Sequence, residues 1–374
     1  MATPDLTRQG DPAPANMVAR NDPPGTPVAG AAKPACAPSA LLGSLPMEKV
    51  PNSDGMTVTA NIDGNPARLL VGTGTVRTQL GREAALKFDP TASDIASATQ
   101  FNLGGMEAGS LTIQVDTNPA PSVFDGVLGV DMMQRYDIDL DFAHRQMNYF
   151  APEQCVGANV YWNPRTITSV PAIQSIRMGT RAGLIYVPVT LDGHEIIALL
   201  DTGADRTFLS AAVASSIFGL DANALEPGTA TADGTVIKAG LHKFSRLSLG
   251  GLIAENPQVA ILFDPWQYAR KSYGSMSRVP ARGAAETVPG YTPGRPGVNM
   301  VIGMDLLKHS HLYISSRNQR IYISAAGDGP ALAARAVKTS QLDVLRYYLG
   351  SEMPLMAPGG DPTYNQQINN PRRN

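Results

Sequence analysis

Residues 198–205 read Ala198-Leu199-Leu200-Asp201-Thr202-Gly203-Ala204-Asp205. An apolar run delivers an acidic residue, and a Thr-Gly-Ala turn follows it at once. That order predicts a buried strand that presents a carboxylate on a tight loop at its C-terminal end. Gly203 lets a neighbouring backbone approach closely, and the hydroxyl of Thr202 is placed to brace the loop from beneath.

An earlier stretch repeats this one. Ile62 to Leu80 reads IDGNPARLLVGTGTVRTQL, and Leu191 to Leu209 reads LDGHEIIALLDTGADRTFL. The two align without a gap, matching Asp63-Gly64 to Asp192-Gly193, Thr73-Gly74 to Thr202-Gly203, and Arg77-Thr78 to Arg206-Thr207. Further on, Leu103-Gly104-Gly105 answers Leu249-Gly250-Gly251, and Val127-Leu128-Gly129-Val130-Asp131-Met132 answers Val301-Ile302-Gly303-Met304-Asp305-Leu306. Paired landmarks in one order read as a tandem duplication. One mismatch matters for chemistry: where the second copy has Asp201, the first has Gly72.

The Asp201-Thr202-Gly203-Ala204-Asp205 loop resembles the active-site loop of aspartic peptidases, on the retropepsin side of that family. The whole pattern is similar to a tandem-lobed, bacterial-type member with a degenerate first loop. The fold this implies is mainly β, with two acid-protease lobes of retropepsin-like β-barrel form and a C-terminal helix. Two such lobes face each other across a peptide groove, and each contributes one Asp. The pair shares a proton, so one carboxylate acts as base on a water while the other donates to the peptide carbonyl.

The resemblance assigns Asp201 as the catalytic carboxylate. It makes Thr202, Gly203 and Ala204 one active-site loop and Gly72, Thr73 and Gly74 the other, with the two threonines bracing the loops across the lobe interface. Thr231-Ala232-Asp233-Gly234-Thr235-Val236 is a hairpin signal, and the resemblance makes it a flap with Asp233 and Gly234 at the tip. The first copy has no comparable hairpin. Asp205 and Arg206 are expected to stabilise the loop, and Asp131 and Asp305 to cap helices.

Gly72 opens two functional readings. Aspartic endopeptidase action on protein substrates is the first, with dimeric pairing of two second lobes able to supply a second Asp201. A pseudopeptidase that binds peptide or protein without cutting it is the alternative, since losing one member of a catalytic unit costs orders of magnitude in rate.

Composition bounds the rest. The 374 residues are long enough for two domains with their own cores, and 36 glycines with 30 prolines suit a loop-rich β protein. A net charge of −2 gives no electrostatic case for nucleic acid, and no apolar run approaches a membrane span. The reaction implied by the resemblance needs no cofactor. The five histidines show no metal-ligand spacing, and His309 and His311 read as part of a packing element. Cys36 and Cys155 flank the first copy, where a disulfide would tie its ends, and this points to a periplasmic or secreted protein.

Along the chain, residues 1–40 read as a disordered leader and 41–156 as lobe 1. Residues 157–180 read as a linker and 181–325 as lobe 2, with a surface loop near 264–296. Residues 326–374 read as a helix, Pro330 to Leu349, and a disordered tail.

Overall fold

Asp63-Gly64 and Asp192-Gly193 each turn the chain through two left-handed residues, with φ of 48° and 83° in the first pair and 43° and 85° in the second. Only a two-residue turn of that hand matches the twist of the strands it joins, and glycine supplies its second position without strain. Each turn closes a hairpin that runs straight into one of the two Thr-Gly loops.

The computed structural model describes residues 17–19, 41–116, 123–151, 160, 162, 168–177, 180–221, 224–232, 234–250, 252–263, 299–315 and 319–327. The chain begins with strands β1 (Met17–Ala19), β2 (Leu41–Pro46), β3 (Glu48–Lys49), β4 (Met56–Ile62), β5 (Asn65–Val71) and β6 (Gln79–Gly81). Helix α1 (Arg82–Leu86) follows, then β7 (Ile95–Ala98), β8 (Phe101–Leu103), β9 (Met106–Ala108), β10 (Leu111–Asp116) and β11 (Gly126–Leu128). Helix α2 (Val130–Met133) leads into the hairpin of β12 (Asp137–Asp141) and β13 (Gln146–Phe150).

The second half opens with β14 (Thr168–Pro171), β15 (Ile173–Arg177), β16 (Thr180–Leu191), β17 (His194–Leu200) and β18 (Phe208–Ser210). Helix α3 (Ala211–Phe218) precedes β19 (Glu226–Ala232), β20 (Thr235–Lys243), β21 (Arg246–Leu249), β22 (Leu252–Glu255), β23 (Gln258–Leu262) and β24 (Met300–Ile302). Helix α4 (Met304–Leu307), β25 (Ser310–Ser315) and β26 (Arg320–Ala325) complete the described chain.

The architecture is mainly β. Lobe 1 is a nine-stranded sheet in the order β7-β10-β6-β11-β5-β4-β8-β9, with β3 on β4. Lobe 2 is an eleven-stranded sheet in the order β1-β22-β21-β16-β17-β24-β18-β23-β20-β19, with β15 on β16. Laid side by side, β4-β5-β11-β6-β10-β7 runs as β16-β17-β24-β18-β23-β20. Among the described residues, only lobe 2 continues to a further strand at that edge, β19, the first strand of the flap. The helices differ too: α3 is capped by the Ser210 hydroxyl, which accepts from Val213 N, and closed by Gly219 at φ 66°. Gly81 offers α1 no side-chain cap, and α1 is the shorter helix.

A third sheet joins the lobes. Its order is β14-β26-β25-β12-β13-β2, so each lobe supplies half and the seam is the antiparallel pair β12–β25. Along that seam Asp137, Asp139 and Asp141 lie on one face, each 1% exposed or less. Buried charge is tolerable only when paired or hydrogen-bonded. Asp139 Oδ1 lies 2.7 Å from His311 Nε2, and Asn148 donates to its Oδ2 at 2.7 Å. Tyr313 and Ser315 donate to Asp137, and Asp141 holds His144 at 2.7 Å. Trp162 stacks on the His311 ring at 3.8 Å and donates to Ser324.

Two of the connecting stretches carry strands of their own. The stretch 157–180 holds two paired strands, β14 on β26 and β15 on β16. Within the 1–40 stretch, β1 adds to the edge of lobe 2 beside β22. Short edge strands of this kind take their structure from a partner strand rather than from their own sequence. Cys36, Cys155, the 264–296 loop and the helix from Pro330 to Leu349 lie outside the described residues. No described helix is long and apolar enough to cross a membrane.

Candidate active site

β5 and β17 run parallel to β11 and β24 and end together at the lobe boundary. The loops they deliver follow the same hydrogen-bond plan. Gly72 N donates to Leu128 O and Asp201 N to Ile302 O, both at 3.0 Å. One turn on, Thr78 donates its backbone and hydroxyl to Asp131 Oδ1, at 2.9 and 2.8 Å, and Thr207 does the same to Asp305 Oδ1, at 2.8 Å each. The Thr78 hydroxyl accepts from Gly129 N at 3.0 Å, and the Thr207 hydroxyl from Gly303 N at 3.1 Å.

Gly129 and Gly303 are there because nothing larger fits. A Cβ on Gly129 would stand 2.5 Å from Arg77 C, and one on Gly303 would stand 2.4 Å from Arg206 C. Contrary to expectation, Asp131 and Asp305 do not cap their helices, whose N-caps are Gly129 and Gly303 with no side-chain capping bond; they fasten each helix to the loop beside it. Burial pushes the Asp305 carboxyl up to about 6 and raises that of Asp131 as well. The sequence marked Thr78 and Thr207 as matched landmarks without a role. Their pairing with matched Asp131 and Asp305 was the available signal.

The two loops meet across the boundary. Thr73 N donates to the Thr202 hydroxyl at 3.2 Å, and Thr202 N to the Thr73 hydroxyl at 3.0 Å. The Thr73 hydroxyl donates to Leu200 O at 2.9 Å, and the Thr202 hydroxyl to Val71 O. Both side chains are 2% exposed. All four bonds run between lobes.

Asp201 is held in the same junction. Its Oδ1 accepts from Gly203 N of its own loop at 2.8 Å and from Gly74 N of the other loop at 3.0 Å. Gly74 lies so close that a Cβ on it would stand 2.3 Å from Asp201 Cγ. Across the boundary, the place matching Asp201 belongs to Gly72, where a Cβ would meet Val127 Cγ1 at 2.6 Å and the Thr75 hydroxyl at 3.2 Å. The first loop thus keeps the backbone bonds that anchor the second to its neighbouring strand and helix, and supplies no carboxylate. Thr75 stands in lobe 1 where Ala204 stands in lobe 2.

This arrangement bears on how lobe 2 is covered within one chain. The face that a second copy of lobe 2 would need is held by lobe 1, through the threonine pair, the Gly74 bond and the β12–β25 seam.

The flap arches from lobe 2 as the β19–β20 hairpin. Gly234 sits at its turn with φ 78°, and Asp233 lies outside the described residues. Val236 beside the turn is 64% exposed. Next to the turn, the tip end of β19 bonds directly to the Asp201 loop: Ala204 bridges Ala232, Asp205 N donates to Thr231 O at 2.9 Å, and the Asp205 carboxylate accepts from Thr231 N at 2.5 Å. Burial raises the Asp205 carboxyl above the usual carboxylate range. Arg206 reaches Gln258. Among the described residues no cluster of His, Cys, Asp and Glu is arranged to hold a metal.

Residues 187–306 match the model of a family described as aspartyl protease. The match lies within lobe 2 and likens that lobe, with its Asp201 loop, to the retropepsin-like aspartic peptidases. No curated protein matches the chain. Among solved structures, an aspartic proteinase from Irpex lacteus shares 13% identity, over 79% of this chain and 99% of that one, with a TM-score of 0.42. A retropepsin-like aspartic protease from Rickettsia conorii shares 17%, over 42% of this chain and 94% of that one, with a TM-score of 0.25.

Proposed function

We propose that this protein takes an extended segment of polypeptide between its two lobes and presents one peptide bond to Asp201, binding it with little or no hydrolysis. The observation that carries the reading is the pairing within one chain: Asp201 faces lobe 1, and lobe 1 brings Gly72. An ionised Asp201 can take a proton from a water and direct it at the amide carbon. The step then needs a donor for the carbonyl oxygen and later for the leaving nitrogen. In a paired site the second carboxylic acid is that donor, and Gly72 has none to offer. The parallel hydrogen-bond plans support descent of both lobes from one ancestral unit, with the first Asp lost afterwards.

A second reading, a working aspartic endopeptidase, has its own support. Two N–H groups hold Oδ1 of Asp201, and four inter-lobe bonds fix the loops that carry it. Such preorganisation suits a reacting group more than a mere binding contact.

One experiment separates them. Fluorescein-labelled denatured casein would be followed for binding and for cleavage from about pH 3 to pH 7, with the parent chain, Asp201→Asn and Gly72→Asp. Binding by the parent without cleavage, and cleavage by Gly72→Asp, is the expected result. Cleavage by the parent that disappears in Asp201→Asn establishes the endopeptidase. A parent that neither binds nor cleaves ends both readings.

A further inference from the structure

The loop that follows Asp201 is covered by the chain's own flap strand. Asp201 and Ala232 are each 1% exposed, Ala204 is fully buried, and Ala232 of β19 bridges Ala204. Asp205 makes the contact through three groups. Its N–H donates to Thr231 O, its carboxylate accepts from Thr231 N, and its carbonyl accepts from Asp305 N at the start of α4. One residue thereby links the flap strand to the loop that carries Asp201 and to the helix fastened beneath it.

Lobe 1 provides an internal comparison. Val76 occupies the place matching Asp205, and its carbonyl still accepts from Asp131 N, at 3.2 Å against 3.1 Å for the pair in lobe 2. The backbone role is common to both lobes. The carboxylate is present in the lobe that has a flap strand and absent from the lobe that has none. Its purpose is therefore tied to the flap.

We infer that Asp205 is a latch: a positioning residue whose carboxylate holds the tip end of the flap strand against the Asp201 loop and keeps the groove shut until β19 is displaced. An extended polypeptide lying over Asp201 needs the backbone positions that Thr231 now occupies beside Ala204 and Asp205, so entry requires this contact to open. The consequence for peptide entry rests on the proposed function, whereas the latch itself does not.

Amide hydrogen exchange on the full-length chain, with no peptide present, tests the latch directly. In Asp205→Ala the amides of 226–232 and 235–243 are expected to exchange about tenfold faster or more, the scale of losing a hydrogen bond to a charged group. Asp205→Asn keeps an acceptor oxygen for Thr231 N and is expected to restore exchange to within about twofold of the parent. The amides of α3 and of the β12–β25 seam serve as controls and should not change. Unchanged flap exchange in Asp205→Ala overturns the inference. So does acceleration spread equally over α3 and the seam, which would make Asp205 a general structural residue. A chain that binds no casein but gives the expected exchange pattern would remove the proposed function and leave the latch standing.

Discussion

Thr73 and Thr202 exchange backbone-to-hydroxyl hydrogen bonds across the lobe boundary, at 3.2 and 3.0 Å, from positions 129 residues apart. Each hydroxyl also donates to the carbonyl two residues before the other threonine. The junction is a closed, buried ring of four bonds. Valine at position 202 keeps the shape and orphans Thr73 N and Val71 O. Thr202→Val is therefore expected to lower unfolding free energy by about 3 kcal/mol, read from denaturant midpoints at constant m. A loss below about 0.5 kcal/mol would mean that the ring does not hold the lobes together.

Gly72→Asp puts back the missing carboxylate, and Val127 resists it. A Cβ there sits 2.6 Å from Val127 Cγ1, so the valine has to turn aside, while lobe 2 already accommodates Val301 alongside Asp201. Gly72→Asp alone should cost about 1–3 kcal/mol in stability, and adding Val127→Ala should relieve part of that strain. Casein cleavage should rise by about three orders of magnitude or more in both variants, since a second acid completes the catalytic unit. Stability measurements on the single and double variants, alongside rates, separate packing from chemistry.

The Asp305 carboxyl titrates near 6 in the folded chain against 3.8 for an unperturbed group. The folded state therefore binds the extra proton between those values. The contribution is fully present below about pH 4 and is lost as pH rises through about 6, amounting to about 3 kcal/mol. Asp305→Asn preserves the acceptor for Thr207 and removes the titration. Unfolding free energy measured from pH 4 to pH 7 should fall less steeply in the variant than in the parent. Identical slopes would contradict the assignment.

His311→Ala strips the Asp139 carboxylate of its imidazole hydrogen-bond partner in a site with no exposure to water and removes the ring beneath Trp162. Breaking one side of a buried pair costs about 3–5 kcal/mol. Tryptophan fluorescence and thermal melting should both report the loss, with Trp162 more accessible to quencher in the folded variant.

Local chemistry made much of this legible. Asp63-Gly64 and Asp192-Gly193 have the residue types a left-handed turn demands. The Val-Leu-Gly and Val-Ile-Gly landmarks mark strands that must pack tightly under a loop. The inter-lobe sheet was harder to see, because its seam is decided by which edges meet. Asp137-Ile138-Asp139-Leu140-Asp141 alternates as a strand with one wet face would, and nothing within it reveals that His311, Tyr313 and Ser315 arrive to bury the polar side. β14 is invisible for the same reason, since its partner β26 lies far along the chain, whereas β15 pairs with the strand that follows it, β16. Asp201 and the bracing threonines were legible as residue types. The contact between Asp205 and Thr231 was not, since it joins two segments by tertiary proximity alone.

The β12–β25 seam also sets what happens when the chain is cut. A fragment beginning at β14 would keep lobe 2 and lay bare the edge of β25, a row of unpaired amides and carbonyls with the Thr202 loop beside it. Such an edge finds the nearest complementary surface, and the nearest one is the same edge on another copy. Lobe 1 is thus the cover that keeps the β25 edge paired within one chain, and a cut between β13 and β14 would trade that internal pairing for self-association.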